Sequence, residues 1–351
     1  MVPTLKQVIL LLVYLILIVG MFAIFTGIYS YDFKTYTDAA RALIRGRSQL
    51  YDSQSTGFFY MPWSILVLAP FSVLPLQVGK ALFGLLTLAG TLWAIRVLSG
   101  EVSIWALALA MTTPFSTEVF SNGQWEGILL ISVGLGWWSV KHNQPFLLGL
   151  ALMGILSKPP NALLAMLLLL YAARPWSWKM FAVPVLFIGG SFVACGIDWP
   201  WRYLEFLQTS PPNQWVIITL WREFEVLNLP IMIAVIISLV SLIGLWRCVQ
   251  KQGVGGPTLA LALAVNLIIT PYSAFYHYVL NAPAVTIAAN RDWRWGIFIY
   301  LAMALTIARK LFLWPLPPLP FYPLAILVAY VALNGVQWTS PTLSSPKNVQ
   351  E

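Results

Sequence analysis

The sequence predicts an all-α polytopic membrane protein, with about ten to thirteen transmembrane or half-spanning helices and an interfacial helix on the outer face. Three observations predict it. Hydrophobic residues make up 59% of the 351 positions and charged residues 9%, and the mean hydropathy of +0.79 exceeds what a soluble core uses. Apolar runs recur along almost the whole chain. The basic residues sit mostly in the short connections between those runs, so the net charge of +8 reads as membrane orientation, and no nucleic-acid partner is expected.

The first run, 8–28, follows Lys6, is long enough to span and lacks a small-residue cleavage site, so it reads as a retained anchor. Further runs fall at 61–76, 78–98, 102–118, 126–140, 145–156, 160–173, 179–197, 229–248, 257–270, 277–290, 295–311 and 320–336. A full crossing needs roughly 20 residues. Several runs are shorter and bounded by proline, as at Met61-Pro62, Leu74-Pro75 and Ser157-Lys158-Pro159-Pro160. Broken helices of that kind are tolerated where protein or a wet cavity covers the backbone.

Lys6, Arg174 and Lys179, Arg247 and Lys251, and Arg291 and Arg294 mark cytoplasmic connections. The 198–228 loop carries Asp198, Glu205, Glu223 and Glu225 against Arg202 and Arg222 and belongs outside. If every run crosses once, this loop and the 31–60 loop fall on opposite faces. One run is then re-entrant or two merge, and 102–125 or 145–173 are the expected places. Residues 1–336 form one membrane domain and 337–351 a polar tail. No internal repeat is visible, and Cys195 and Cys248 give neither a disulfide framework nor a metal-ligand spacing.

The first loop opens with YDFKTYTDAARALIRGRSQLYD. Tyr36, Ala40, Leu43 and Ile44 recur at helical spacing with Asp38, Arg41 and Arg45 opposite, which predicts an amphipathic helix on the membrane surface. On position alone Asp32, just after the first span, is an interfacial or helix N-terminal charge. Other polar islands interrupt the apolar sequence: Ser121-Asn122-Gly123-Gln124-Trp125-Glu126, Ser157-Lys158-Pro159-Pro160-Asn161, Thr270 to His277, and Asn290-Arg291-Asp292. Lys158 either snorkels or finds an anion. His277 reads by default as a satisfied structural histidine, and Glu126 as a helix-starting acid favoured by the dipole.

Taken in order, the first loop, FFYMPWSILVLAPFSVLP, NGQWEGILLISVGLGWW, LLGLALMGILSKPPNALLAMLLLLY and TPYSAFYHYVLNAP resemble glycosyltransferase family 87 over about residues 8–290. That family holds polyprenol-phosphate-mannose-dependent mannosyltransferases with a GT-C membrane fold. The resemblance implies transfer of a sugar, mannose first, from a polyprenyl-phosphate carrier to a glycan or glycolipid acceptor on the outer face of a bacterial cell membrane, with inversion. It makes Asp32 the catalytic carboxylate and lets His277 hold or share the proton. Lys158, then Arg41 or Arg45, would face the donor phosphate, while Tyr60, Asn122 and Gln124 would meet sugar hydroxyls and faces. No Gly-rich phosphate loop points to a nucleotide donor. No cofactor or metal is expected, Asp32 and Asp38 being six residues apart and off one helical face. Two other classes fit the same islands: a transporter or flippase of a lipid-linked or small polar substrate, and a catalytically silent relative.

Overall fold

The computed structural model describes residues 5–46, 50–51, 57–209, 219–226, 228–312 and 321–333, and among these every regular element is helical. The polar tail expected at 337–351 lies outside them. In chain order the helices are α1 (Leu5–Gly27), α2 (Tyr31–Ile44), α3 (Ile65–Ser72), α4 (Leu76–Ser99), α5 (Ile104–Met111) and α6 (Pro114–Asn122). Next come α7 (Glu126–Lys141), α8 (Pro145–Leu156), α9 (Leu163–Ala172), α10 (Lys179–Cys195), α11 (Trp199–Thr209) and α12 (Leu220–Val226). The last are α13 (Ile231–Gln252), α14 (Gly256–Ile269), α15 (Ala282–Arg291), α16 (Trp293–Phe312) and α17 (Phe321–Leu333). Short 3-10 turns at Pro62–Ser64, Pro159–Asn161 and Phe275–Asn281 carry three of the polar islands or their edges.

By length and apolarity alone α4 and α13 each suffice to cross a bilayer, and two bent pairs raise the number to four. Most of the remaining helices are shorter pieces, as the prolines predict. Large apolar side chains on its outside, such as Val193 at 89% and Leu186 at 70% exposure, are what a lipid-facing surface presents. Inside, glycine lets helices touch. A Cβ on Gly127 would lie 2.6 Å from Thr87 Cβ and one on Gly134 2.7 Å from Ala94 Cβ, so α7 lies directly on α4 along one small-residue face.

The structure resolves the conflict over loop sides. Tyr51 packs on Tyr203 with ring centroids 5.0 Å apart and Phe59 on Phe206 at 5.1 Å, which puts the 31–60 loop and α11 on one face. Lys80 near the start of α4 donates to the carbonyl of Ile28 at the end of α1, and Arg41 of α2 reaches the carbonyls of Ser72 and Leu74 at 2.6 and 3.2 Å. The 61–76 run therefore enters and leaves on the same face and is the re-entrant one. The 102–125 run passes through: Ser103 bonds Asn290 at one face, and Asn122 accepts from Ser30 at the other. The sequence alone misplaced the re-entrant run because hydropathy records that a run is buried and not where it comes out.

Helix α2 meets the last turns of α1 at 85°, and α11 meets α10 at 77°, so both run along the interface. Ser30 caps α2, its hydroxyl accepting from the Phe33 N–H at 3.1 Å. The buried face is Phe33, Tyr36, Thr37 and Ala40, while Ile44 is exposed. The expected stripe is rotated by part of a turn, because α2 lies on α3 and the neck of the bundle as well as on lipid.

Candidate active site

The site begins at the α6–α7 junction. Gly123, at φ +65°, caps α6 in the left-handed conformation, and a Cβ there would sit 2.8 Å from the Phe33 ring. The turn aims Gln124 beneath α2. Its amide nitrogen donates to Asp32 Oδ2, and its oxygen accepts from the Tyr36 hydroxyl at 3.0 Å. Tyr36 and Tyr60 hydroxyls meet at 2.7 Å, and the Tyr60 carbonyl takes the Tyr51 hydroxyl at 2.6 Å. Asp32 itself is exposed, in the first turn of α2. An exposed carboxylate is thus held by one neutral donor, which a buried tyrosine pair fixes in turn.

Behind Tyr60 lies a charged cluster. Lys158 Nζ is 5.2 Å from the Tyr60 ring centre and 5.3 Å from that of Tyr276. It donates to Glu126 Oε1 at 2.6 Å and lies 2.8 Å from His277 Nε2, which is itself 3.1 Å from the same carboxylate oxygen. Exposure is 5% for Lys158 and zero for Glu126 and His277. The Ala274 N–H donates to His277 Nδ1 at 2.8 Å, so the neutral ring carries its proton on Nε2 and gives it to Glu126. Ser157 knits the cluster to the rest, its hydroxyl taking Trp125 Nε1 at 2.5 Å and its carbonyl the Met61 N–H at 3.2 Å.

These contacts join five of the sequence-predicted residues, Asp32, Gln124, Tyr60, Lys158 and His277, into one chain of contacts. They also alter the expected roles. Nδ1 of His277 is engaged by Ala274 and Nε2 by Glu126, so no direct Asp32–His277 pair forms. Lys158 has found its anion inside the protein, because a buried ammonium needs one. Arg45 lies at the far end of α2 from Asp32, roughly 20 Å along the axis, and the Arg41 guanidinium is taken up by Asp38 and two carbonyls. Neither reaches a phosphate placed at Asp32. Asn122 is half-buried and borders the site through its carbonyl, which accepts from Ser30 at 2.7 Å.

Sequence reasoning placed Glu126 at a helix start and Tyr36 on the apolar stripe of α2, as they are, but gave neither a part in the site, and Lys80 was not singled out. Glu126 was legible in principle: a carboxylate opening an apolar run and a lysine island ending another call for each other. Of the Glu126 carboxylate, Oε1 takes both Lys158 and His277. Among the described residues no group of three His, Cys, Asp or Glu side chains is placed to hold a metal ion.

A bundle of broken helices around a buried polar cluster, with an interfacial helix presenting a carboxylate beside it, defines a polytopic membrane protein with its site at one face. The model of glycosyltransferase family 87 matches residues 58–271, and the chain belongs to that family. Gln124, Glu126 and Lys158 lie inside the matched region, Asp32 and His277 outside it. A relative, the Alpha-(1->3)-arabinofuranosyltransferase of Corynebacterium glutamicum, is 31% identical over 176 residues, 44% of this chain and 40% of the relative. The match thus spans less than half of that relative's length. No solved structure matches the chain.

Proposed function

We propose that this protein is a membrane glycosyltransferase that moves a sugar from a polyprenyl-phosphate carrier to an acceptor hydroxyl on the outer face of a bacterial cell membrane. The observation that carries the proposal is the support of Asp32: an exposed carboxylate with one oxygen held by Gln124, which is fixed in turn by Tyr36. A base must be oriented yet remain available to a proton, and this arrangement does both. The acceptor oxygen attacks the anomeric carbon opposite the phosphate, and its proton passes to Asp32. The glycosidic bond forms as the carbon–oxygen bond to phosphate breaks, which inverts the anomeric centre and releases polyprenyl phosphate. The step needs no oxidant, and neither cofactor nor metal has a part in the proposal.

Lys158 is assigned as the cation behind the cavity wall, its field partly offset by Glu126, and His277 as the group that orients Glu126. Mannose and arabinofuranose are the two sugars to try, the second because of the relative's name. The test is single-turnover transfer by purified protein in nanodiscs, with radiolabelled polyprenyl-phosphate mannose and polyprenyl-phosphate arabinofuranose and a panel of alkyl glycoside acceptors. Transfer by the wild type and its loss in Asp32→Asn are expected. Movement of the labelled lipid between leaflets without transfer would favour a flippase.

A further inference from the structure

A cavity borders the site at Asn122, whose carbonyl accepts from Ser30. Its volume is about 610 Å³, and it is an open groove with Ile28 at one edge and Tyr300 at the other. Its floor is the break between α5 and α6, contributing Thr112, Pro114, Thr117, Glu118, Ser121 and Asn122. Tyr300 of α16 ties across that break, its hydroxyl donating to the Thr112 carbonyl at 3.1 Å.

The placement is unusual for a membrane. Helix α6 has nine residues and so rises roughly 13 Å, which carries the groove from the outer boundary at Asn122 towards the middle of a hydrocarbon core of roughly 30 Å. Interrupted backbone and polar side chains at that depth are stable only against protein or a polar filling. Here Thr112, Pro114 and Thr117 at the break are exposed. The two helices that contribute Ile28 and Tyr300 present apolar side chains to the outside: α1 shows Ile24 at 63% and α16 shows Leu301 at 59% and Leu305 at 48% exposure. A polar strip between two lipid-facing helices is the mould of a molecule with a hydroxylated head and an apolar tail.

We propose, resting on the glycosyltransferase reading above, that this groove binds the sugar head of a lipid-borne acceptor and delivers its hydroxyl to Asp32. The geometry favours the acceptor over the donor. Among the described lining residues hydroxyls and an amide recur and none is a cation, which suits uncharged sugar hydroxyls better than a donor phosphate. The path to the base is short in sequence and bonded in space: Asn122 accepts from Ser30, two residues before Asp32, and Gln124, two residues after Asn122, holds Asp32.

The experiment uses the full chain in nanodiscs and a decyl α-D-mannopyranoside or decyl α-D-arabinofuranoside carrying a diazirine at the first alkyl carbons, with crosslinked peptides mapped by mass spectrometry. Labelling in 112–122 or around Tyr300, blocked by excess unlabelled decyl glycoside but not by decanol, is expected. Equal protection by decanol would make the groove a site for lipid tails and overturn the proposal. Equal protection by the methyl glycoside would assign it to free glycans and overturn the lipid-borne part, and labelling confined to other segments would overturn it entirely. In transfer assays Thr117→Trp, which fills the groove from an exposed position, raises the acceptor KM about tenfold, the loss of roughly one hydrogen bond's worth of binding, with the donor KM unmoved. Thr117→Ser stays within twofold. An acceptor KM unchanged in Thr117→Trp sinks the groove while the glycosyltransferase reading stands. A wild type that transfers nothing sinks that reading, and the crosslink still decides whether the groove holds a sugar.

Discussion

Asp32 and Glu126 are both carboxylates in the first turn of a helix, and Gln124 touches the one and lies two residues before the other. They are held in opposite ways. Asp32 is exposed and supported by an uncharged amide, so its negative charge is oriented and not spent. Glu126 has no exposure and spends one oxygen on both an ammonium and an imidazole. At a membrane boundary a lone carboxylate is cheap, whereas deep in the bundle it must be matched. The comparison separates an oriented, accessible carboxylate from one matched inside the bundle, although both stand at helix starts in the sequence.

The sharpest way to break the comparison is Asp32→Asn, which keeps the shape and the place at the mouth but removes the basic site. Transfer falls about 100-fold to 10,000-fold while the melting temperature in detergent stays at the wild-type value. Near-normal turnover would end the assignment of Asp32 as base. At the other carboxylate the effect moves to stability. Lys158→Ala strands Glu126 without its cation and costs about 3–5 kcal/mol, whereas Lys158→Met combined with Glu126→Gln recovers most of it. Denaturation profiles of the three proteins compare them directly, and a single variant as stable as wild type would mean that the pair is not buried in the working protein.

Smaller effects sharpen the boundary between the two regions. Gln124→Leu removes the bonds to both Asp32 and Tyr36 and should lower kcat roughly tenfold with little change in donor KM, the scale of one or two hydrogen bonds. A drop in stability with kcat intact would move Gln124 to the frame. Asp38→Asn should stay within about twofold in transfer, because Asp38 lies on the outer side of α2, paired with Lys34 at 2.5 Å and Arg41 at 3.3 Å. A loss at Asp38 larger than at Asp32 would overturn the choice between them. Asp52, another acid of the first loop, lies outside the described residues.

Much of this was readable beforehand. The helix at 31–44 follows from the spacing of Tyr36 and Ala40, and the polar islands mark where the chain bends into the cavity. Asp32, Gln124, Lys158 and His277 stand out because polar groups are scarce in such sequence. Partners were not readable. His277 and Lys158 are separated by more than a hundred positions, and their meeting at Glu126 depends on how α7 packs on the Phe275–Asn281 turn. Lys80 was hidden for a different reason: it lies within the 78–98 apolar run, and nothing in that run points to the Ile28 carbonyl that the fold brings it at the α1–α2 corner. The rotation of α2 was invisible too, since Thr37 is buried there in place of Ile44.

The return of the 61–76 run to the face it came from has a consequence for how the chain is made. During synthesis each hydrophobic segment is sorted in turn, and every later segment inherits the side on which its predecessor ended. Met61 to Leu76 is therefore a parity bit. Were it threaded through as a span, α4 and everything after it would be inverted, and Gln124 would emerge on the opposite side of the bilayer from Asp32. The two residues joined by a hydrogen bond in the finished protein would then be a membrane thickness apart. Pro62, Pro70 and Pro75 shorten and break that segment, and Arg41 anchors its end by two carbonyls. The Asp32–Gln124 pairing thus depends on a segment whose main task is to decline to cross.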